Sequence, residues 1–331
     1  MKGLLVGAGG MGRAWGRNLK EEGRLAGWVD VREGAAAEAA QSLDLEIPTG
    51  TDLSALIDKV APDFVVDVTA PEAHHDVTLL ALSRGLPVIG EKPMATSMDK
   101  ARGMVAASEQ AGKLYMVSQS RRYDAGLVAY RKLIVERLGP LGILNVDFSI
   151  GAHFGGFRDE MAHVLLLDMA IHTFDQARAL SGADPVSVYA EEFNPSWSWY
   201  QGAASANCLF EMTDGLRFSY RGSWCSEGLP TSWEGDWRAV GQNGTAIWEK
   251  NCTPYAAIVS GNEGFHRPTE RIEEAPVSLD GGIKGSLKEF LWALETGKTP
   301  QGECHDNIQS LAMVFAAVES SKRGERVKVS A

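Results

Sequence analysis

Asp168 and His172 stand four residues apart in a stretch, Val164 to Leu180, whose pattern predicts a helix. At that spacing two side chains share one helix face. An imidazole is well suited to accept a proton near neutral pH, and a neighbouring carboxylate can orient the ring and stabilise its charged form. Lys92 lies in the run Glu91-Lys92-Pro93, directly after the apolar segment Pro87 to Gly90. An ammonium there can hydrogen-bond a ligand hydroxyl and help to move its proton. Plainer roles are also open: a satisfied helix Asp–His pair, and an exposed lysine before a turn proline. Four-residue spacing is metal-ligand spacing as well. No further His or Cys stands at a matching spacing, so no metal is expected. Asp175, on the next turn, reads as structural or as a partner behind the pair.

Such groups need a scaffold, and the first third of the chain has the pattern of one. Short apolar runs alternate with helical stretches, as a parallel α/β sheet requires. The runs are Met1 to Val6, Leu25 to Asp30, Phe64 to Thr69, Pro87 to Gly90 and Leu114 to Gln119. The helical stretches are Met11 to Glu22, Ala35 to Leu43, Leu53 to Val60 behind the cap Asp52, His74 to Arg84 before Gly85, and Ser97 to Ala111 before Gly112. Between the first strand and helix stands Gly7-Ala-Gly9-Gly10-Met11-Gly12, a G-x-G-x-x-G turn. Strand, glycine turn and helix in that order form the dinucleotide-binding fingerprint. Gly7 permits the tight turn, Gly9 lets the backbone approach a pyrophosphate, and Gly12 lets helix and strand pack closely. The helix N-terminus offers free N–H groups to phosphates. Asp30 ends the second strand, about 20 residues beyond the glycines, where a carboxylate binds adenosine ribose hydroxyls. A carboxylate there favours NAD, because it repels a 2′-phosphate; Arg32 works against that preference. An ordinary glycine turn with a surface Asp is the alternative.

From Gly142 the pattern changes. Ile143 to Ile150, Val186 to Phe193, Ala203 to Met212, Leu216 to Trp224, Asp236 to Gly241 and Thr245 to Glu249 read as strands of a mainly antiparallel sheet. Thr213-Asp-Gly215 and Gln242-Asn-Gly244 are hairpin turn signals. Lys284 to Glu295 and Asn307 to Arg323 read as closing helices. The expected architecture is α/β: a Rossmann-type doubly wound parallel sheet over 1–120, then a substrate-binding and oligomerisation domain with an open, mainly antiparallel sheet over 121–331. The chain has 331 residues and a formal net charge of −11. That charge argues against nucleic acid or an anionic membrane as a partner. No apolar run approaches a membrane span, and no leader is expected because Gly7 already belongs to the turn. Cys208, Cys225, Cys252 and Cys304 are widely spaced, which reads as free thiols in a reducing, cytoplasmic setting. An open sheet face rich in apolar and aromatic residues between Ala203 and Trp248 points to a homodimer or homotetramer.

Several motifs fall in one order: Gly7-x-Gly9-x-x-Gly12, Asp30, Thr69-Ala-Pro71-x-x-His74, Glu91-Lys92-Pro93, and Asp168-x-x-x-His172-x-x-Asp175. In this order the chain resembles the Gfo/Idh/MocA family of NAD(P)-dependent oxidoreductases over essentially its whole length. Phe290 to Lys298 is similar to the family's C-terminal helix entry. The resemblance implies hydride transfer between a sugar, polyol or sugar derivative and NAD, with NADP the lesser candidate. It implies Lys92, Asp168 and His172 as catalytic, with Pro93 after a tight, sometimes cis, peptide. Gly7, Gly9, Gly10, Met11, Gly12, Asp30, Thr69, Pro71, Glu91, Lys92 and Gln119 would line the cofactor, and His74, heading its helix, would approach the nicotinamide end or simply cap the helix. Arg122 and Tyr123, which open the second domain, would face the substrate beside Lys92, Asp168 and His172. The chain departs from the commoner pattern in places. Ala162-His163 replaces a glycine pair, Ala170 replaces a glycine, and Phe157-Arg158 replaces Trp-Arg. Arg158 and His163 are therefore further substrate candidates. Trp197, Trp199, Trp224, Trp233 and Trp237 suit either stacking on sugar C–H faces or sheet packing. Two other functions fit the same residues: a redox-assisted glycosidase or lyase that retains NAD, and a non-catalytic NAD-binding sensor.

Overall fold

Short strands alternate with helices at the start of the chain, in a computed structural model that describes residues 1–331. In order these are β1 (Gly3–Val6), α1 (Gly10–Glu21), β2 (Leu25–Val29), α2 (Ala35–Gln41), β3 (Thr49–Gly50), α3 (Leu53–Val60), β4 (Phe64–Asp67), α4 (Pro71–Ser83), β5 (Val88–Glu91), α5 (Met98–Ala111) and β6 (Tyr115–Ser118). The strands form one six-stranded parallel sheet in the order β3-β2-β1-β4-β5-β6. The strand order reverses between β1 and β4, and in open α/β sheets ligands bind at such a switch point, beyond the carboxyl ends of the strands. Side chains of β1, β4 and β6 are buried on both faces, which is why these strands read as continuous apolar runs.

Local chemistry sets the helix ends. Asp52 caps α3 by accepting from the Ala55 amide at 3.1 Å, and Ser97 caps α5 through the Lys100 amide at 3.3 Å. Gly112 closes α5 in the left-handed region. One boundary differs from expectation. α4 starts at Pro71, a residue preset for the first helical position, so His74 lies inside the first turn instead of heading the helix.

The second half of the chain continues with α6 (Ala125–Leu133), β7 (Leu141–Ser149), the short α7 (Phe157–Glu160), α8 (Ile171–Ser181), β8 (Pro185–Phe193), β9 (Ser205–Met212), β10 (Arg217–Ser223), β11 (Asp236–Gly241), β12 (Gly244–Trp248), β13 (Tyr255–Val259) and β14 (Thr269–Glu273). α9 (Gly282–Thr296), α10 (Cys304–Arg323) and β15 (Val327–Lys328) close it. Nine strands form one sheet, β14-β13-β12-β11-β7-β10-β9-β8-β15. Its pairings are antiparallel except β7 with β10. Buried and exposed positions alternate along β8, β9 and β10, the mark of a sheet covered on one face. Short β3, β13, β14 and β15 lack a strong apolar alternation and escape the sequence pattern.

The chain divides into two compact units, Met1–Ser120 with Gly282–Ile308, and Arg121–Gly281 with Gln309–Ala331. This corrects the expectation that both closing helices belong to the second domain. α9 returns to the first unit because Phe290 is fully buried there, edge-on to Phe64 of β4 with ring centres 5.6 Å apart. Such an aromatic pair contributes about 0.5–1.5 kcal/mol beyond its buried area. Lys284 pairs with Glu21 at 3.1 Å along the same contact. No helix is long and apolar enough to cross a membrane.

Candidate active site

In the first unit, predicted site residues gather at the carboxyl edge of the parallel sheet. Gly7 follows β1 with φ +102°, and a Cβ there would lie 2.4 Å from the Val68 carbonyl oxygen. A Cβ on Gly12 would lie 2.1 Å from the Gly7 oxygen. Both positions are closed to any side chain by backbone. Gly9 and Gly10 are the opposite case: a Cβ on either meets nothing within 4 Å. Their openness faces outward at the start of α1, whose N-cap, Gly9, supplies no side-chain hydrogen bond. Space and free N–H groups at a helix N-terminus suit a pyrophosphate. Met11 is half exposed beside them. The indole of Trp28 supports the turn from below, donating to the Gly7 carbonyl at 2.9 Å. Nothing in the sequence pattern marks that contact.

Asp30 is nearly buried at the end of β2. It accepts from the Ala8 amide at 2.7 Å, and from the Arg32 amide, Nε and Nη2 at 2.9 Å each. The Arg32 side chain, followed by the two backbone donors, holds this carboxyl down at about 2 despite burial. Thr69 donates its amide and hydroxyl to Asp67 Oδ1 at 3.1 and 2.6 Å. Glu91 ends β5 with Oε1 accepting from the Trp15 indole at 2.7 Å, which ties the lysine loop to α1. Burial pushes the Glu91 carboxyl up. Lys92 follows it, and the Lys92–Pro93 peptide is cis. The His74 ring is buried, with Nδ1 2.8 Å from the Pro93 carbonyl and Nε2 3.1 Å from the Thr69 carbonyl. Two backbone carbonyls therefore occupy both nitrogens, and the structure gives the ring no contact to offer a nicotinamide. Gln119, beyond β6, is buried with neither amide atom hydrogen-bonded. A buried amide without partners is costly, and a polar ligand at this edge would satisfy it. Open glycines, an ionised Asp30 and the unbonded Gln119 together fit a dinucleotide.

The second unit holds the other candidates. The chain is π-helical over Leu165–Ala170 before α8 begins. Asp168 lies in this widened segment and His172 at the second position of α8, so the expected regular α-helical spacing is not kept. π-Segments occur often at functional sites. Arg158 Nε donates to Asp168 Oδ2 at 2.6 Å, and its guanidinium lies 5.0 and 4.7 Å from the ring centres of Phe154 and Phe157. His163 Nδ1 lies 2.8 Å from Glu192 Oε2. Burial pushes the Glu192 carboxyl up to about 7 and His163 down. Both shifts disfavour charge on the pair.

Arg122 is not arranged as a free substrate contact. Its Nε and Nη2 grip the two Asp175 oxygens at 2.7 Å each, and Ser310 Oγ adds a third bond to Asp175 at 2.7 Å. A buried carboxylate on α8 needs such compensation. Tyr123 is buried beside it in sequence. The neighbouring Arg121 reaches the Trp233 carbonyl and lies 3.3 Å from Met169 Sδ. The tryptophans divide: Trp224 and Trp237 are core residues, while Trp197 and Trp233 are exposed. Trp199 stacks on His153 at 3.7 Å.

Outside the predicted set, Glu303 Oε1, Cys304 Sγ and His305 Nδ1 converge, with Glu303 Oε1 2.9 Å from the sulfur and 2.8 Å from the nitrogen. Glu303 Oε2 also accepts the His305 amide at 3.0 Å at the start of α10. Burial first, then Glu303, pushes the Cys304 thiol above its ordinary range. A cluster closed by mutual hydrogen bonds at the positive end of a helix is a cap.

The chain's sequence matches two family models: the oxidoreductase family with an NAD-binding Rossmann fold over residues 1–119, and the Gfo/Idh/MocA C-terminal domain over residues 136–247. A protein of Sinorhizobium fredii, y4oX, described as uncharacterized, is 29% identical over 98% of this chain and 95% of its own length. An inositol 2-dehydrogenase of Paracoccus denitrificans is 32% identical over 56% of this chain and 55% of its own. Among solved structures, an oxidoreductase from Agrobacterium radiobacter, in complex with NAD+, L-tartaric acid and magnesium, superposes with a TM-score of 0.89. That match covers 99% of this chain and 98% of the other at 21% identity, and so bears on the fold.

Proposed function

This chain belongs to the Gfo/Idh/MocA family of oxidoreductases, and from that premise we propose that it oxidises a CH–OH group of a sugar, polyol or sugar derivative with NAD. The observation that carries this reading is the carboxyl edge of the parallel sheet. Open Gly9 and Gly10, the Asp30 carboxylate and Lys92 all stand there, on the ends of β1, β2 and β5. The inositol 2-dehydrogenase relative supports a polyol-like substrate.

NAD, when bound, supplies the hydride acceptor. The backbone of the glycine turn would hold its pyrophosphate and Asp30 its adenosine ribose. An ionised Asp30 favours NAD over NADP, and the Arg32 guanidinium bound to it works in the opposite sense. Lys92 holds the substrate hydroxyl. Lys92 and His172 are the proton-transfer candidates: the single O–H proton would pass to one of them, and NAD, when bound, would take the carbon-bound hydrogen as hydride. Asp168, held by Arg158 at 2.6 Å, would stabilise positive charge on the imidazole. Arg158 and His163 remain substrate-side groups in this reading, and Arg122 supports α8 through Asp175. The exposed Ile143, Val186, Tyr189, Phe193 and Leu209 on the strands of the large sheet suit a homodimer or homotetramer, which light scattering at micromolar protein would detect; a monomer mass refutes it.

The direct test is a panel of polyols and sugar derivatives incubated with NAD, following NADH absorbance and product together. One NADH per ketone formed supports a dehydrogenase. Turnover without net NADH would instead favour retained-NAD elimination chemistry.

A further inference from the structure

His74 has no step in the proposed reaction, yet its surroundings are unusual. Nδ1 faces the Pro93 carbonyl at 2.8 Å and Nε2 faces the Thr69 carbonyl at 3.1 Å. Carbonyl oxygens only accept hydrogen bonds. A neutral imidazole carries one N–H, so one of its nitrogens would turn a lone pair toward a carbonyl lone pair. Only the doubly protonated ring satisfies both contacts. We propose that His74 is a positioning residue held as the imidazolium, whose two N–H groups clamp the loop carrying Lys92 to the loop between β4 and α4. The inference rests on Lys92 being the catalytic lysine, but the protonation state does not.

The charges around the ring agree. Asp67, fully buried at the end of β4, and Glu91, at the end of β5, both lie within electrostatic reach of His74. Burial raises both carboxyls, and His74 acts in the opposite sense on each. Lys92 is the next residue and adds a second positive charge near Glu91. On β6, Tyr115 faces Asp67, and burial keeps its phenol protonated. On α4 itself His75 pairs with exposed Asp76, and Lys100 of α5 acts on that carboxylate from beyond. Asp67 also fixes Thr69 through two hydrogen bonds to Oδ1, at 3.1 and 2.6 Å. The clamp therefore runs from the β4 terminus through Thr69 and His74 to the backbone directly after Lys92.

The test reads the ring directly. Long-range proton–nitrogen spectra of the cofactor-free protein, with the His74 signals assigned by through-space contacts to Thr69 and Pro93, should show both nitrogens protonated at pH 8. One bare nitrogen at pH 8 overturns the proposal. His74→Gln, which cannot donate from two opposite ends, should lower kcat by about tenfold to 10²-fold, the scale of a small misplacement of a reacting group. NAD affinity and substrate KM should move less than kcat. Unchanged kcat in a folded His74→Gln protein would also overturn the clamp. Absence of NAD-dependent turnover in the wild type, with an imidazolium spectrum, would instead refute the function and leave His74 as described.

Discussion

The two units prepare their candidate groups by different means. In the first, the work is done by backbone: a glycine at φ +102°, a second glycine under a carbonyl, and open positions at a helix start. In the second, side chains hold one another: Arg158 on Asp168, Glu192 on His163, and Asp175 on Arg122. Backbone geometry is encoded by residues a few positions apart, so it survives as a spacing motif. Paired side chains bridge 10, 29 and 53 positions in these three cases, and no local pattern records them.

The contrast can be broken first at the chemistry. Lys92→Met and His172→Ala should each lower kcat by about 10²–10⁴-fold, the usual contribution of a positioned proton-transfer group. Steady-state kinetics over a pH series checks it. If His172→Ala keeps near-normal kcat while Lys92→Met is dead, the lysine alone moves the proton. Next in size is Arg122→Leu. It strands the buried Asp175 carboxylate and should cost about 3–5 kcal/mol of stability. Denaturant unfolding measures the loss, and KM in the surviving folded protein should stay close to wild type. A normal midpoint with a raised KM would return Arg122 to the substrate.

A smaller effect concerns pH. The Glu192 carboxyl titrates at about 7 in the folded chain against 4.5 for an ordinary glutamate. Between those values the folded state binds more protons than the unfolded one, so stability falls as pH rises. It is fully present below about 4.5 and lost through about 7. Glu192→Gln should flatten that slope in thermal melts taken from pH 4.5 to 7.5. A slope unchanged in the variant would place its origin elsewhere.

Much of the fold is legible in the sequence for a physical reason. Strands buried on both faces leave unbroken apolar runs, as in Phe64 to Asp67, and strands buried on one face leave alternation, as in Val186 to Phe193. Gly112 and Asp52 mark helix ends by chemistry that acts within four residues. Short β13, β14 and β15 carry neither signal and depend on neighbours in the sheet for their hydrogen bonds. α9 reads correctly as a helix, but its return to the first unit rests on Phe290 meeting Phe64, a contact between distant positions. At the site, Gly7, Gly9, Gly12 and Asp30 stand where their spacing implies. Arg122 and His74 have partners, and Asp168 a π-helical setting, that sequence spacing does not encode.

Calorimetric titration of NAD into three proteins tells where the cofactor is held. The wild type should bind NAD. Gly9→Ala, whose new methyl group projects into open space at the start of α1, should leave the fold intact and weaken NAD by at least about tenfold, or about 1.4 kcal/mol. His172→Ala should bind NAD as the wild type does. A wild type that binds no NAD, or a His172→Ala protein that loses as much affinity as Gly9→Ala, would contradict a cofactor held by the backbone of the first unit.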